Sequence, residues 1–264
     1  MTEIHAVGQT LPEAYHRALY SLSAFGDFVP CPAYDTQCLE CGLTMVVRDP
    51  ISEPMISKMF FGGPDDLEQY TEEMLDGILD FKIGHGWDYT YHSRMTGYPC
   101  VDENNEPWLE DQVQFVLNEL RSDPHSRRAV INIRDVYADA YLGDPACLQH
   151  IQYFVRDGKL DCSVLFRSND ALKATFMNAY ALIRLQERIA VELGAEMGTY
   201  THRANSFHCY ERDWGALWRF QSKYFYNDYD YTYDYKGDWE ALMDEEKPKI
   251  KEKIEKLKGE LNNA

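Results

Sequence analysis

The residues that could do chemistry gather around one thiol and a few cations. Cys147 closes the run Gly143-Asp-Pro-Ala-Cys147, a turn leading into an apolar stretch that begins near Ile151. A turn beside cationic residues is a setting in which a thiol becomes a nucleophile, although an inert cysteine is the plainer reading of the local residues. Two arginine clusters accompany it: Ser126-Arg127-Arg128 after the Pro124 turn, and Arg167-Ser168 at the end of a strand. Guanidinium forks grip phosphate oxygens bidentately, and an adjacent hydroxyl adds a donor. An arginine pair alone more often serves surface ion pairs. Cys38-Leu-Glu-Cys41, with Cys31 upstream, has the form of a metal or redox fragment. No second cysteine or histidine pair follows at zinc spacing, so these read as half-buried thiols and no metal is expected.

Those residues need elements to hold them. Residues 11–23 read as an opening amphipathic helix with Pro12 in its first turn. Residues 38–48 read as a strand. Gly62-Gly-Pro64 breaks the chain, and Asp65-Asp66 favour the start of a helix running to about Phe81. A loop rich in Gly, His and Tyr follows, then a helix over Leu109–Leu120. Ala129-Val-Ile-Asn-Ile133 is a strand, and two alternating apolar runs flank Arg156-Asp-Gly-Lys159, a strong hairpin signal. Residues 178–193 form the longest predicted helix, stopped by Gly194. Tyr224 to Tyr235 alternates tyrosine with Asp and Asn, as an edge strand or an aromatic rim would. Residues 244–261 interleave Glu and Lys like a solvated helix.

Composition bounds the whole. The chain has 264 residues with 26 Lys+Arg against 44 Asp+Glu, a formal net charge of −18. Such acidity argues against a surface that grips duplex nucleic acid, whose affinity comes from phosphate neutralisation. It leaves room for a small phosphorylated ligand. Hydrophobic residues at 45% and aromatics at 14% exclude a disordered chain. No window is apolar and long enough for a membrane span, so no membrane partner is expected. The start, Met1-Thr-Glu-Ile-His-Ala-Val7, lacks a signal peptide's basic and apolar regions, and the seven cysteines are irregularly spaced; a cytoplasmic protein with reduced thiols is expected.

Asp111-Gln112, Asp123-Pro-His-Ser-Arg-Arg128, Cys147 with Gln152 five residues on, Arg156-Asp-Gly-Lys-Leu160, Arg167-Ser-Asn-Asp170, Asn178 and His208-Cys-Tyr210 stand in one order. In that order and spacing they resemble thymidylate synthase, over residues 109–215 and more faintly over 60–95. The Arg-Ser-Asn-Asp form is closer to the phage deoxycytidylate hydroxymethylase branch. The resemblance implies an α/β (α+β) fold with a large mixed sheet flanked by helices, forming a single catalytic domain over residues 1–240, with a charged helix or tail over 241–264. It implies a homodimer acting on a pyrimidine nucleotide monophosphate with 5,10-methylenetetrahydrofolate as cosubstrate.

By the same resemblance Cys147 adds to C6 of the pyrimidine, and C5 then attacks the one-carbon unit. Arg167 and Ser168 hold the 5′-phosphate, with Arg127 and Arg128 reaching across from the second subunit. Asn169 lies in the same nucleotide-binding run. Asp170 meets the pterin, His208 and Tyr210 hold the 3′-hydroxyl, and Gln152 orients the nucleotide. A buried glutamate is expected in the helix after Gly62, with Glu73 preferred over Glu72. Tyr89 is the counterpart of a tyrosine near the cysteine.

Departures from the family pattern bear on the reaction. Leu148 stands where the synthases usually have histidine, and Ala174-Thr-Phe-Met-Asn178 lacks the usual glycine and proline. The run Lys258-Gly-Glu-Leu-Asn-Asn-Ala264 is polar where synthases close the folate site with an apolar tail. A wetter site favours water over hydride, so hydroxymethylation is preferred to methylation. Asn178 in ungapped register favours dUMP. A shift of one residue places Ala179 where the cytidylate enzymes have Asp and leaves dCMP open, while the plainest reading of Asn178 is a helix N-cap. A nucleotide-binding protein without chemistry is the remaining alternative.

Overall fold

The computed structural model describes residues 1–228 and 230–262, the last by its backbone. Tyr229, inside the tyrosine-rich segment, and Asn263 and Ala264 of the expected tail lie outside the described residues. The strands, in chain order, are β1 (Glu3–Gly8), β2 (Asp27–Cys31), β3 (Thr36–Val47), β4 (Ile56–Ser57), β5 (Tyr98–Val101), β6 (Pro107–Glu110), β7 (Val130–Asn132), β8 (Leu148–Arg156), β9 (Lys159–Phe166), β10 (Asn169–Asp170), β11 (Glu196–Tyr210) and β12 (Thr232–Tyr233). The helices are α1 (Leu11–Phe25), α2 (Pro64–Asp76), α3 (Tyr91–Thr96), α4 (Gln112–Ser122), α5 (Val136–Asp139), α6 (Thr175–Leu193), α7 (Trp214–Phe225) and α8 (Glu240–Asn262).

One mixed sheet organises these elements in the order β1-β3-β11-β9-β8-β7, with β2 paired to β3 and β10 to β11. The β8–β9 hairpin closes through Asp157 at φ 51° and Gly158 at φ 77°, the left-handed pair that a tight hairpin turn requires. α1 lies along β1 and β3, α6 crosses β9 and β11, α2 packs on α6, and α8 packs on α2. Leu11, Leu19, Leu43, Phe166, Phe176, Ile183, Tyr200 and Phe207 are fully or almost fully buried between these helices and the sheet. At about 25 cal/mol per Å² of apolar surface removed from water, such a layer is the main favourable term in folding. α8 is tied in twice: Trp239 just before it and Met243 join the main core, and Ile250 and Ile254 close over Leu79.

Several boundaries differ from the sequence reading, and three of them bear on the site. α2 ends at Asp76, because Gly77 turns left-handed at φ 62° and packs so close to His92 that a Cβ there would lie 2.2 Å from Nδ1. The helix expected from Leu109 begins at Gln112, since Asp111 caps it by accepting from the Gln114 N–H at 2.9 Å. α6 starts earlier than expected, at Thr175, so Asn178 lies inside its first turn and is not its N-cap. The tyrosine-rich segment splits: Tyr224 lies in the last turn of α7, whereas Thr232 and Tyr233 pair with β4.

Candidate active site

The ends of β8, β9 and β11 bring Cys147, Arg167, Ser168, His208 and Tyr210 to one end of the sheet. Cys147 immediately precedes β8, half-buried, and its carbonyl accepts from the Arg167 N–H at 2.8 Å. Its Sγ lies 3.6 Å from the Ser168 hydroxyl. The Arg167 guanidinium braces the turn before the cysteine. It donates to the carbonyl of Ala146 at 3.1 Å and of Pro145 at 2.6 Å, and lies 3.6 Å from the Asp144 carboxylate. One planar fork thus fixes the cysteine's approach while remaining a third exposed to the cleft.

The opposite wall depends on an irregularity in β11. Its register against β3 shifts between Ala204 and Phe207. Before the shift, Tyr200, His202 and Ala204 point into the core; after it, Phe207 and Cys209 do. That change of parity turns Ser206, His208 and Tyr210 into the cleft, as bulges beside functional sites commonly do. The Tyr210 ring sits edge-on to His208 at 5.0 Å, and burial pushes its phenol up to about 12. The resulting cleft of about 500 Å³ is lined by Cys147, Arg167, Ser168, Asn169, Asp170, Asn178, His208 and Tyr210, with Tyr34, Tyr70 and Lys173. Asp170 also holds the turn into α6, accepting from the N–H groups of Leu172 at 3.0 Å and Lys173 at 2.9 Å.

A second cavity, of about 370 Å³, adjoins it through Tyr70, Tyr91 and Asp144. Glu73, Trp87, Asp88 and Tyr89 line it. Burial raises the Glu73 carboxyl, with the Gln69 amide donating to it at 2.7 Å in opposition. Burial likewise pushes the Tyr89 phenol up to about 12, with Cys147 adding to the effect. Tyr91 accepts from the Leu148 N–H at 3.3 Å.

The two glutamates of α2 part company. Glu72 faces a different cavity, shared with Lys247 and Lys251 of α8. Tyr70 stands one turn before Glu73 on the same helix face and is the α2 side chain that reaches the Cys147 cleft. The i, i+3 spacing from Glu73 was the available signal for it. Arg127 and Arg128 are exposed and do not line the cleft; Arg128 pairs with Glu119 at 2.8 Å. Gln152 is also outside, donating to the Arg127 carbonyl at 2.9 Å. Cys31 and Cys38 line the cleft rim with sulfurs 3.2 Å apart, whereas Cys41 points into the core. Arg94, unremarked in the sequence, is buried against Asp139 at 3.1 Å and Asp135 at 3.4 Å, and anchors the segment leading to Cys147.

A half-buried thiol beside an arginine-braced turn, facing hydroxyl and amide donors and an aromatic cavity, suits covalent addition to a planar, phosphorylated ring. Residues 76–254 match the thymidylate synthase family, and the chain belongs to it. A provisionally named thymidylate synthase of Methanocaldococcus jannaschii is 34% identical over 218 residues, covering 77% of this chain and 92% of that one. One of Methanosarcina barkeri is 27% identical over 210 residues, covering 79% and 90%. The deoxyuridylate hydroxymethyltransferase of Bacillus phage SP01 is 34% identical over 131 residues, 48% of this chain and 34% of that protein. The structure of thermostable thymidylate synthase A from Bacillus subtilis superposes with a TM-score of 0.62 at 20% identity, covering 81% of this chain and 84% of that one, so the fold is shared. The chain is accordingly a one-carbon transferase of that family. Among the described residues no helix is long and apolar enough to cross a membrane.

Proposed function

We propose that the protein hydroxymethylates C5 of a pyrimidine deoxynucleotide 5′-monophosphate, dUMP in preference to dCMP, with 5,10-methylenetetrahydrofolate as the one-carbon donor. The observation that carries this reading is the convergence of Cys147, Arg167, Ser168, Asn178, His208 and Tyr210 on one cleft that opens into an aromatic cavity. The Cys147 thiolate adds to C6, which makes C5 nucleophilic. C5 takes the methylene carbon supplied by the folate and loses its proton, and the folate leaves. Water then adds to the exocyclic methylene as the C6–S bond breaks, returning Cys147.

Arg167 and Ser168 hold the phosphate, His208 and Tyr210 the 3′-hydroxyl, and Asn178 the base, with Asn169 beside it. Trp87, Tyr89 and Tyr91 offer flat walls to a pterin, and Asp170 meets it from the nucleotide side. Glu73, not Glu72, is the acid–base group, because its raised carboxyl lines the aromatic cavity that adjoins the Cys147 cleft, whereas Glu72 faces a separate cavity against α8. The Tyr89 phenol stays protonated at neutral pH and serves as a donor. The carboxyl and hydroxyl lining of Glu73, Asp88, Thr90 and Asp144 admits the water that completes the product.

Arg127 and Arg128 reach a phosphate from a second copy seated on the half-exposed sheet face that carries Gln152, Phe154 and Leu165. The reduced thiols suit a cytoplasmic setting. Methylation to thymidylate is the second reading, favoured by the near full-length match to the archaeal relatives. Incubation with dUMP or dCMP and methylenetetrahydrofolate separates the two. Hydroxymethylation yields tetrahydrofolate and a product with an added oxygen; exclusive formation of dihydrofolate and a methylated base overturns the first reading.

A further inference from the structure

We propose that Tyr70 is a positioning residue that fixes the orientation of the Asn178 amide, and through it decides between uracil and cytosine. This rests on the nucleotide reading above and concerns only the choice of base. The Tyr70 hydroxyl donates to Asn178 Oδ1 across the cleft wall. Asn178 in turn donates through Nδ2 to Asn169 Oδ1 at 3.2 Å. The Asn169 amide nitrogen lies 3.0 Å from His202 Nε2, and His202 Nδ1 lies 3.0 Å from the Tyr200 hydroxyl.

His202 is fully buried and its imidazole is held neutral, driven down to about 3 by that burial. A neutral imidazole has one donor and one acceptor. With Asn169 donating to Nε2, the proton sits on Nδ1 and points at Tyr200. Donation then runs one way, from Tyr70 through Asn178 and Asn169 to His202 and Tyr200. Reversing it requires both amides to flip, the His202 tautomer to change and the Tyr70 proton to leave Asn178, all together. The amide orientation is therefore a property of the relay, and Tyr70 is its end in the cleft.

Asn178 lines the cleft, and its amide has one N–H and one oxygen lone pair beyond the bonds to Tyr70 and Asn169. Uracil presents a donor at N3 and an acceptor at position 4, whereas cytosine presents the reverse. Exchanging the amide O and N therefore exchanges the base that fits, and an amide free to flip accepts both.

The test is the ratio of kcat/KM for dUMP to that for dCMP in the wild type, Tyr70→Phe and Asn169→Leu, with melting curves showing that each variant is folded. Both variants break the relay, one on either side of Asn178, and each is expected to bring the ratio about fivefold closer to one, mostly through KM for the preferred nucleotide. A purely structural role lowers both values together and leaves the ratio unchanged. The same ratio is read from dissociation constants of dUMP and dCMP by calorimetry, which needs no turnover. A wild type that binds nucleotide without turning it over overturns the reaction reading. An unchanged binding ratio in the folded variants overturns the relay.

Discussion

Replacing Arg167 by lysine separates its two assigned tasks. The guanidinium reaches the carbonyls of Pro145 and Ala146 and the Ser168 hydroxyl at 2.6, 3.1 and 3.3 Å. A lysine ammonium on the same backbone is a point donor and can keep one of these. Two bonds from a charged donor are lost, each worth about 1.5–3 kcal/mol. The side chain is 35% exposed, so solvent competes and roughly 2 kcal/mol is the realistic loss. At about 2–4 °C per kcal/mol, the melting temperature falls by roughly 4–8 °C. The loosened turn also lets Cys147 drift, and misplacement by about 1 Å costs on the order of 100-fold in rate. Steady-state tritium release from C5 of labelled dUMP reads that loss as kcat/KM. Comparing binding of dUMP with that of deoxyuridine isolates the phosphate contribution, which the variant is expected to lose in part. A folded variant with kcat/KM within about threefold of wild type and an unchanged melting temperature would refute both the brace and the phosphate role.

Two further outcomes follow from buried charge. Asp139→Ala removes the 3.1 Å carboxylate partner of buried Arg94 and leaves Asp135 at 3.4 Å, and is expected to cost about 3–5 kcal/mol by chemical denaturation. Equal stability there would show that the pair is not desolvated. Glu73 has a carboxyl raised by burial, so its folded form binds a proton more readily than the unfolded chain does. Its unfavourable contribution is absent below the ordinary carboxyl range and grows as pH rises through the raised value. Glu73→Gln should therefore melt higher than wild type at neutral pH and equal to it in acid, while losing turnover; a melting difference that does not change with pH contradicts this.

Much of the site was legible because its residues sit at sequence-marked punctuation. The Asp157-Gly158 turn, the Gly194 stop and the Pro145-Ala146-Cys147 turn each announce themselves by backbone chemistry. The fifteen-residue β11 was seen only at its His208–Tyr210 end, because its bulge breaks the alternation that a period of two would reveal. Tyr70 was hidden for a different reason. A search for a carboxylate looks past a phenol, and only packing of α2 against α6 shows which side chain of that face meets Asn178. The α2 boundary failed at Gly77, where the close approach of His92 leaves no room for a side chain.

The claim on which the rest depends is that Cys147 forms the covalent bond to the pyrimidine. The most direct measurement compares wild type with Cys147→Ser, following tritium release from C5 and the mass of the product in the presence of methylenetetrahydrofolate. The wild type is expected to release tritium and to form a nucleotide heavier by one carbon, two hydrogens and one oxygen. The serine variant is expected to release none while binding the nucleotide within about threefold of wild type. Tritium release by the serine variant at an undiminished rate would contradict the account.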